Sequence, residues 1–387
     1  ERLLSLLSTD SRVSVLSGYN KPMKINQAIS RRDFLKLTGY VAGAAMLPTI
    51  KPGESLIKQE YAKGTKLGRV CVGEYRSWVD MKSEPNMNAP AVDRAWRDDV
   101  YEIKQEVVAN VLDYNRYNQR WYETPKGFIY APFVQPVRHV ENTPLSSLPL
   151  DNEGKPGLWV EITQPVVDME LTKSASNASS WIRDSQGLAK LYYSQIFWAN
   201  DIRQANGRTE YLLGEKYGAL PDYYWVDAAA CRPVTEEEVS PIHPEVGDKR
   251  ILVNLQRQTL SCFEGSHEVY FCDVSTGYIK EGKWLTPPET TPVWRKMVSL
   301  HMSAGGVSQY DSPGIAWTTL YHSDGQAIHA VYWHNNFGIA LSHGCVNCLP
   351  EDAKWIWRWT NPSVGYYPGE LTVTNASNST YVQVIES

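Results

Sequence analysis

From residue 67 onward the chain is written in short runs of β-branched and aromatic residues, each closed by Gly, Pro, Asn or a charged turn. Residues 69–72, 100–103, 106–109, 120–123 and 128–130 are runs of this kind, and their composition reads as strand. The texture returns at 158–162, 210–213 and 223–226, then as a meander at 251–255, 259–263 and 268–274. A mainly β fold follows. Helix is expected in one short segment, 351–359, whose Glu351 and Asp352 suit a helix N-terminus, and Tyr381 to Ile385 reads as a closing strand. At 387 residues the chain exceeds what one hydrophobic core uses, so two or three domains are expected.

Before these strands lies a segment of another character. Ser30, Arg31, Arg32, Asp33, Phe34, Leu35 and Lys36 form a twin-arginine pattern, followed by a small, apolar stretch at 37–47. The apolar stretch is too short to span a bilayer, so residues 1–48 read as an export signal and the protein as extracytoplasmic, bound for cell wall or periplasm, meeting a membrane only transiently. Residues 1–48 carry a formal +4, which leaves −9 for the rest against a total of −5. An acidic body is a poor phosphate binder, and no nucleic-acid partner is expected. The six cysteines show no dense disulfide framework.

Residues 49–66 read as a polar linker broken by Pro52, Gly53 and Gly64. The run Trp121-Tyr122, residues 127–130 and residues 134–137 together resemble a bacterial SH3-like barrel, placed at 67–150. A second copy is expected at 151–240, because residues 158–162, 210–213, 223–226 and 231–234 repeat the pattern with insertions. Such modules either face the cell wall or act as spacers. Residues 235–248 read as an acidic, Pro-containing connector to a last domain at 249–387. That domain has its own strands and closing strand and is expected to fold alone. Within it, residues 277–314 are rich in Gly, Pro, Ser and Thr and read as a long covering segment, with Trp284, Trp294, Met297, Met302 and Tyr310 as lining or lid core.

The chemistry concentrates at residues 341–348, Leu-Ser-His-Gly-Cys-Val-Asn-Cys. A cysteine nucleophile needs a base or positive charge nearby and backbone N–H groups to hold the oxyanion formed on attack. Gly344 supplies the permissive backbone for such a turn. The strand-like residues 327–332 deliver His329 as a candidate base, with His322 and His334 as competitors. Cys345 and Cys348 also make a C-x-x-C pair, which elsewhere marks a redox couple or half a zinc site, although no second pair or finger-spaced histidines accompany it.

The six residues Ser342 to Asn347, with His329 upstream, resemble the catalytic domain of the L,D-transpeptidases, the YkuD domain. The resemblance runs back through residues 251–255 and 274–277 and forward through 350–355. It implies a β-sheet-rich catalytic domain in which Cys345 is acylated and His329 is the base. It also implies that His343 and Gly344 complete the catalytic turn, with the oxyanion held by N–H groups around Gly344 and Cys345. Ser342 and Asn347 would contact substrate, as would the neighbouring Trp317, Tyr321 and Trp333. Twelve residues separate His329 from Ser342, at the short end of the family spacing. The implied substrates are peptidoglycan stem peptides, with carbapenems as inhibitors and neither cofactor nor metal. An L,D-carboxypeptidase using the same acyl-enzyme, or a non-catalytic wall-binding protein, would share much of this sequence.

Overall fold

The computed structural model describes residues 61–387 apart from 63, 73–76, 186–188, 206, 219–221 and 305–309. The export signal expected at 1–48, and the linker up to residue 60, lie outside the described residues.

The first β unit is built from two sheets. Leu67–Val70 pairs antiparallel with both Val100–Glu102 and Val134–Val137. A five-stranded sheet follows the order Ala91–Trp96, Trp78–Lys82, Gly127–Tyr130, Arg120–Thr124, Gln105–Val108. Alternation along Trp78–Lys82 turns Val79 and Met81 inward. There they meet Val70, Ala95, Ile129 and Val134 in one core.

The second unit is a six-stranded sheet in the order Glu170–Leu171, Tyr223–Asp227, Arg208–Gly214, Ile196–Ala205, Leu158–Ile162, Cys231–Pro233. Both units end alike. A hairpin leads to one 3-10 turn, Ala131–Phe133 or Ala228–Ala230, and then to a short strand that pairs with the unit's first strand. Local chemistry sets each turn: Pro132 opens the first, and the Asp227 carboxylate accepts the Ala229 N–H at 3.0 Å in the second.

The C-terminal region packs two five-stranded sheets around the helix Pro350–Trp359. One runs His267–Asp273, Thr259–Glu264, Lys249–Asn254, Tyr381–Ile385, Thr290–Pro292, with Tyr381–Ile385 parallel to Lys249–Asn254. The other runs Val346–Cys348, Ala327–Ala330, Tyr310–Leu320, Arg295–Ala304, Glu370–Thr372. The helix starts at a proline with Glu351 and Asp352 in its first turn, and it buries Ala353, Ile356, Trp357 and Trp359.

Residues 277–314 are therefore not a long covering loop. They hold the hairpin Ile279–Lys280 with Lys283–Trp284, the strand Thr290–Pro292 and the long strand Arg295–Ala304, which pairs with Tyr310–Leu320 at the centre of its sheet. Polar residues that suggested a loop, Lys296 and Ser299 among them, find partners inside. Lys296 is 1% exposed, and its ammonium donates to the carbonyls of Thr360 at 2.7 Å and Pro362 at 2.9 Å.

The stretch 235–248 is also more than a connector. Thr235 and Glu238 form a capping box on the helical turn Glu236–Val239. Glu238 then lies between Arg232 and Lys354. Burial pushes the Glu238 carboxyl up, but these two cations outweigh it and hold it at about 2.

The apolar cluster around the C-terminal helix does not stop at the C-terminal region. Trp159, Ile196 and Trp198 of the second unit share one apolar cluster with Ile251, Val298, Trp317 and Trp357. Trp159 is fully buried, and its indole N–H donates to the Tyr366 carbonyl at 3.0 Å. The Ser299 hydroxyl donates to the Ile196 carbonyl at 2.5 Å. Residues 246–387, expected from sequence to fold by themselves, would expose this apolar face if taken alone. Thermal unfolding is accordingly expected to be one transition, coincident by fluorescence and circular dichroism. Trp159→Ala should lower stability by about 3–5 kcal/mol. Two separated transitions would show that the units fold independently.

Candidate active site

The strand Ala327–Ala330 pairs in parallel with Val346–Cys348, setting Ile328 opposite Val346, His329 opposite Asn347 and Ala330 opposite Cys348. Side chains alternate across a strand, so Ile328, Ala330, Val346 and Cys348 enter the apolar core. His329 and Asn347 face the other way. Both line a cleft of about 440 Å³ that also takes Cys345, Ser342 and His343.

The turn before Val346 is held tightly. Gly344 has φ +137°, and a Cβ there would lie 2.9 Å from the Leu285 carbonyl oxygen, so no larger residue fits. The Thr286 hydroxyl donates to the Gly344 carbonyl at 2.8 Å and accepts the Gly277 N–H at 2.7 Å. Ser342 Oγ accepts the Gly344 N–H at 3.1 Å and donates to the Cys345 carbonyl at 2.5 Å. Ser342 thus shapes the turn from within. With the Gly344 amide engaged, the Cys345 amide is the one beside the thiol to which no described residue offers an acceptor.

His329 is 2% exposed, and its Nδ1 lies 2.9 Å from the Ala330 carbonyl oxygen. A carbonyl can only accept, so Nδ1 carries the proton and Nε2 keeps its lone pair. Burial pulls the His329 pKa down to about 4, the carbonyl bond opposing it. Burial pushes the Cys345 thiol up to about 11, with a backbone hydrogen bond at Ala327 pulling the other way. At neutral pH the cleft therefore holds a protonated thiol and a neutral imidazole. A neutral imidazole of this kind can serve as a general base, and a thiol in this state is no standing thiolate.

His343 is exposed and ringed by Tyr278, edge-on at 5.9 Å, and Tyr310, stacked at 6.1 Å. Trp333 lines the cleft with its ring 6.0 Å from that of His329. The Asn347 side-chain amide nitrogen lies 3.0 Å from His334 Nε2. His334 is thereby engaged with Asn347, and His322 pairs with Glu289.

Trp317 and Tyr321 do not line the cleft, which corrects the expectation that they touch substrate. Each is 2% exposed in the shared core, and Trp317 packs edge-on against Trp357 at 5.3 Å. Their proximity in sequence to the catalytic turn is proximity behind it.

The opposite wall comes in part from residues that local sequence could not reveal: Arg69, Val72 and Asp98 of the first unit and Tyr192 of the second line the same cleft. Met302 and Tyr310, expected as lining or lid core, line it from the ends of the long strand pair. Among the described residues no group of three potential metal ligands occurs.

Residues 248–373 match the family model of the YkuD L,D-transpeptidase catalytic domain. The chain carries a YkuD catalytic domain. Similar solved structures include a mutant of the Enterococcus faecium L,D-transpeptidase, at 21% identity over 40% of this chain and 56% of that one, TM-score 0.28. An L,D-transpeptidase from Mycobacterium smegmatis is 13% identical over 64% of this chain and 94% of its own, TM-score 0.29. An L,D-transpeptidase in complex with imipenem is 13% identical over 64% and 95%, TM-score 0.28. The chain spans a little over half the length of the Enterococcus faecium protein. No curated protein matches it. The YkuD match includes every cleft residue named from the C-terminal region and stops short of both preceding β units.

The neutral state of the YkuD thiol has a measurable signature. Alkylation of Cys345 by iodoacetamide should rise about tenfold per pH unit from pH 7 towards its thiol pKa of about 11. A plateau already reached near pH 7 would reveal a thiolate–imidazolium pair instead.

Proposed function

We propose that the chain is an exported peptidoglycan L,D-transpeptidase acting through a Cys345 acyl-enzyme. The observation that carries this is the cleft itself, lined both by the thiol, in the turn just before the strand Val346–Cys348, and by a neutral imidazole on the partner strand. In the reaction, Cys345 Sγ attacks the carbonyl joining the diamino acid at stem position three to the terminal D-alanine. His329 Nε2 takes the thiol proton as the C–S bond forms. The Cys345 amide is positioned to donate to the resulting oxyanion. Collapse breaks the C–N bond, and the proton held on His329 leaves with the amine of D-alanine. A side-chain amine of a neighbouring stem then displaces the thioester, giving a 3–3 cross-link and restoring the thiol.

The twin-arginine segment supports export, and the repeated hairpin, 3-10 turn and returning strand support reading the two β units as SH3-like modules. The strand parity of residues 345 and 348 argues against a redox couple. Cys348 is fully buried on the core side, away from the cleft.

Incubation with disaccharide tetrapeptides followed by mass analysis tests the reading. Cross-linked dimers with free D-alanine are expected; hydrolysed tripeptide alone would indicate a carboxypeptidase, and no product would sink both. Cys345→Ala should abolish D-alanine release and acylation by a carbapenem. His329→Ala should slow acylation by about 10²-fold or more. Cys348→Ala should retain most activity, and equal loss from both cysteine variants would revive the redox pair.

A further inference from the structure

The cleft wall formed by Tyr332, Trp333 and His334 has little support from its own sheet. It follows the short strand Ala327–Ala330 and is fastened instead to the first β unit. At its start the Tyr332 carbonyl accepts from Arg69 Nη2, 263 residues away in sequence. Two residues past Trp333, the Asn335 N–H donates to the Pro132 carbonyl at 3.2 Å and its side-chain amide to the Tyr122 hydroxyl at 3.2 Å.

Arg69 is 3% exposed and every face of its guanidinium is used. Nη1 donates to Asp98 Oδ1 at 2.8 Å, while Nε and Nη2 donate to Gln135 Oε1 at 3.2 and 2.9 Å. The cation lies 4.1 Å from the centre of the Tyr192 ring. Tyr192 in turn donates to Asp98 Oδ2 at 3.2 Å and stacks on Tyr332 at 5.6 Å. One planar, five-donor side chain therefore ties the first unit, the second unit and the cleft wall together, a geometry a lysine cannot reproduce.

We propose that Arg69 is a positioning residue for the active site, holding the Tyr332–Trp333–His334 wall so that substrate is seated against Cys345 and His329. Tyr332 meets Trp333 edge-on at 5.0 Å, Trp333 neighbours His329, and His334 pairs with Asn347. Displacing the Tyr332 carbonyl moves all three contacts. The first β unit is thus a part of the enzyme's binding site as well as a module beside it. This inference rests on the transpeptidase reading for its substrate.

A purely structural role would depend on charge compensation, and that gives the test. Arg69→Met leaves the Asp98 carboxylate without its cation and should destabilise the full chain, whereas the double variant Arg69→Met/Asp98→Asn removes both charges and should recover most of the melting temperature. The double variant should nonetheless show KM for a disaccharide tetrapeptide raised about tenfold or more with kcat changed less than about threefold, because uniform binding contacts are lost. Independently of turnover, the rates of Cys345 alkylation by a bulky and by a small haloacetamide are compared by mass spectrometry. The double variant should discriminate less against the bulky reagent than the wild type does. Wild-type KM in a thermally restored double variant overturns the proposal. Should the wild type itself release no D-alanine, the transpeptidase reading fails, and an alkylation ratio unchanged from wild type then overturns the positioning role on its own.

Discussion

The parallel pairing of Ala327–Ala330 with Val346–Cys348 is the constraint on which the site depends. One register, with His329 opposite Asn347, sorts six residues into four that anchor the strands in the core and two that face the cleft. A slip of one residue would turn His329 into the apolar cluster and present Ile328 or Ala330 in its place. Two bridges guard against that slip, Ser275 with Asn347 and Gly277 with Ser342, tying the turn to the neighbouring segment. The close approach of Gly277 to Gly344 is possible because neither carries a side chain.

Burial then sets the electrostatics of the pair. The low-dielectric surroundings disfavour charge on either partner, which lowers the imidazole and raises the thiol. The Ala330 carbonyl fixes the tautomer, leaving Nε2 as the acceptor. The protein thus fixes the orientation of the imidazole and keeps both groups neutral at rest, and in the proposed reaction charge would develop only during attack. The same logic governs the surroundings, where Lys296 is held by carbonyls at the helix end and Glu238 by two cations.

Local pattern made the turn that brings Cys345 to the cleft and its partner strand legible, because each is encoded within about twenty residues of Cys345 by residue type and spacing. The mainly β texture, the short helix at Pro350 and the closing strand were legible for the same reason. What escaped is what depends on distant packing. Trp317 and Tyr321 lie close to the turn in sequence, yet the helix Pro350–Trp359 claims Trp317 for the core. The long strand Arg295–Ala304 looked like loop because its Lys, Ser and His find buried partners that composition does not disclose. Arg69 and Tyr192 carry no local mark of their place in the cleft.

A thiol kept protonated at rest has a consequence for survival outside the cytoplasm, where the proposed export would take this chain. Peroxides and disulfides react with the thiolate far faster than with the thiol, so a nucleophile that ionises only while attacking a carbonyl is a poor target for sulfenic acid formation. Cys348 and Cys272 are sheltered further, being sealed into the apolar core. The burial that slows Cys345 as a free thiol would therefore let an enzyme of the proposed kind persist in oxidising surroundings without a partner to reduce it.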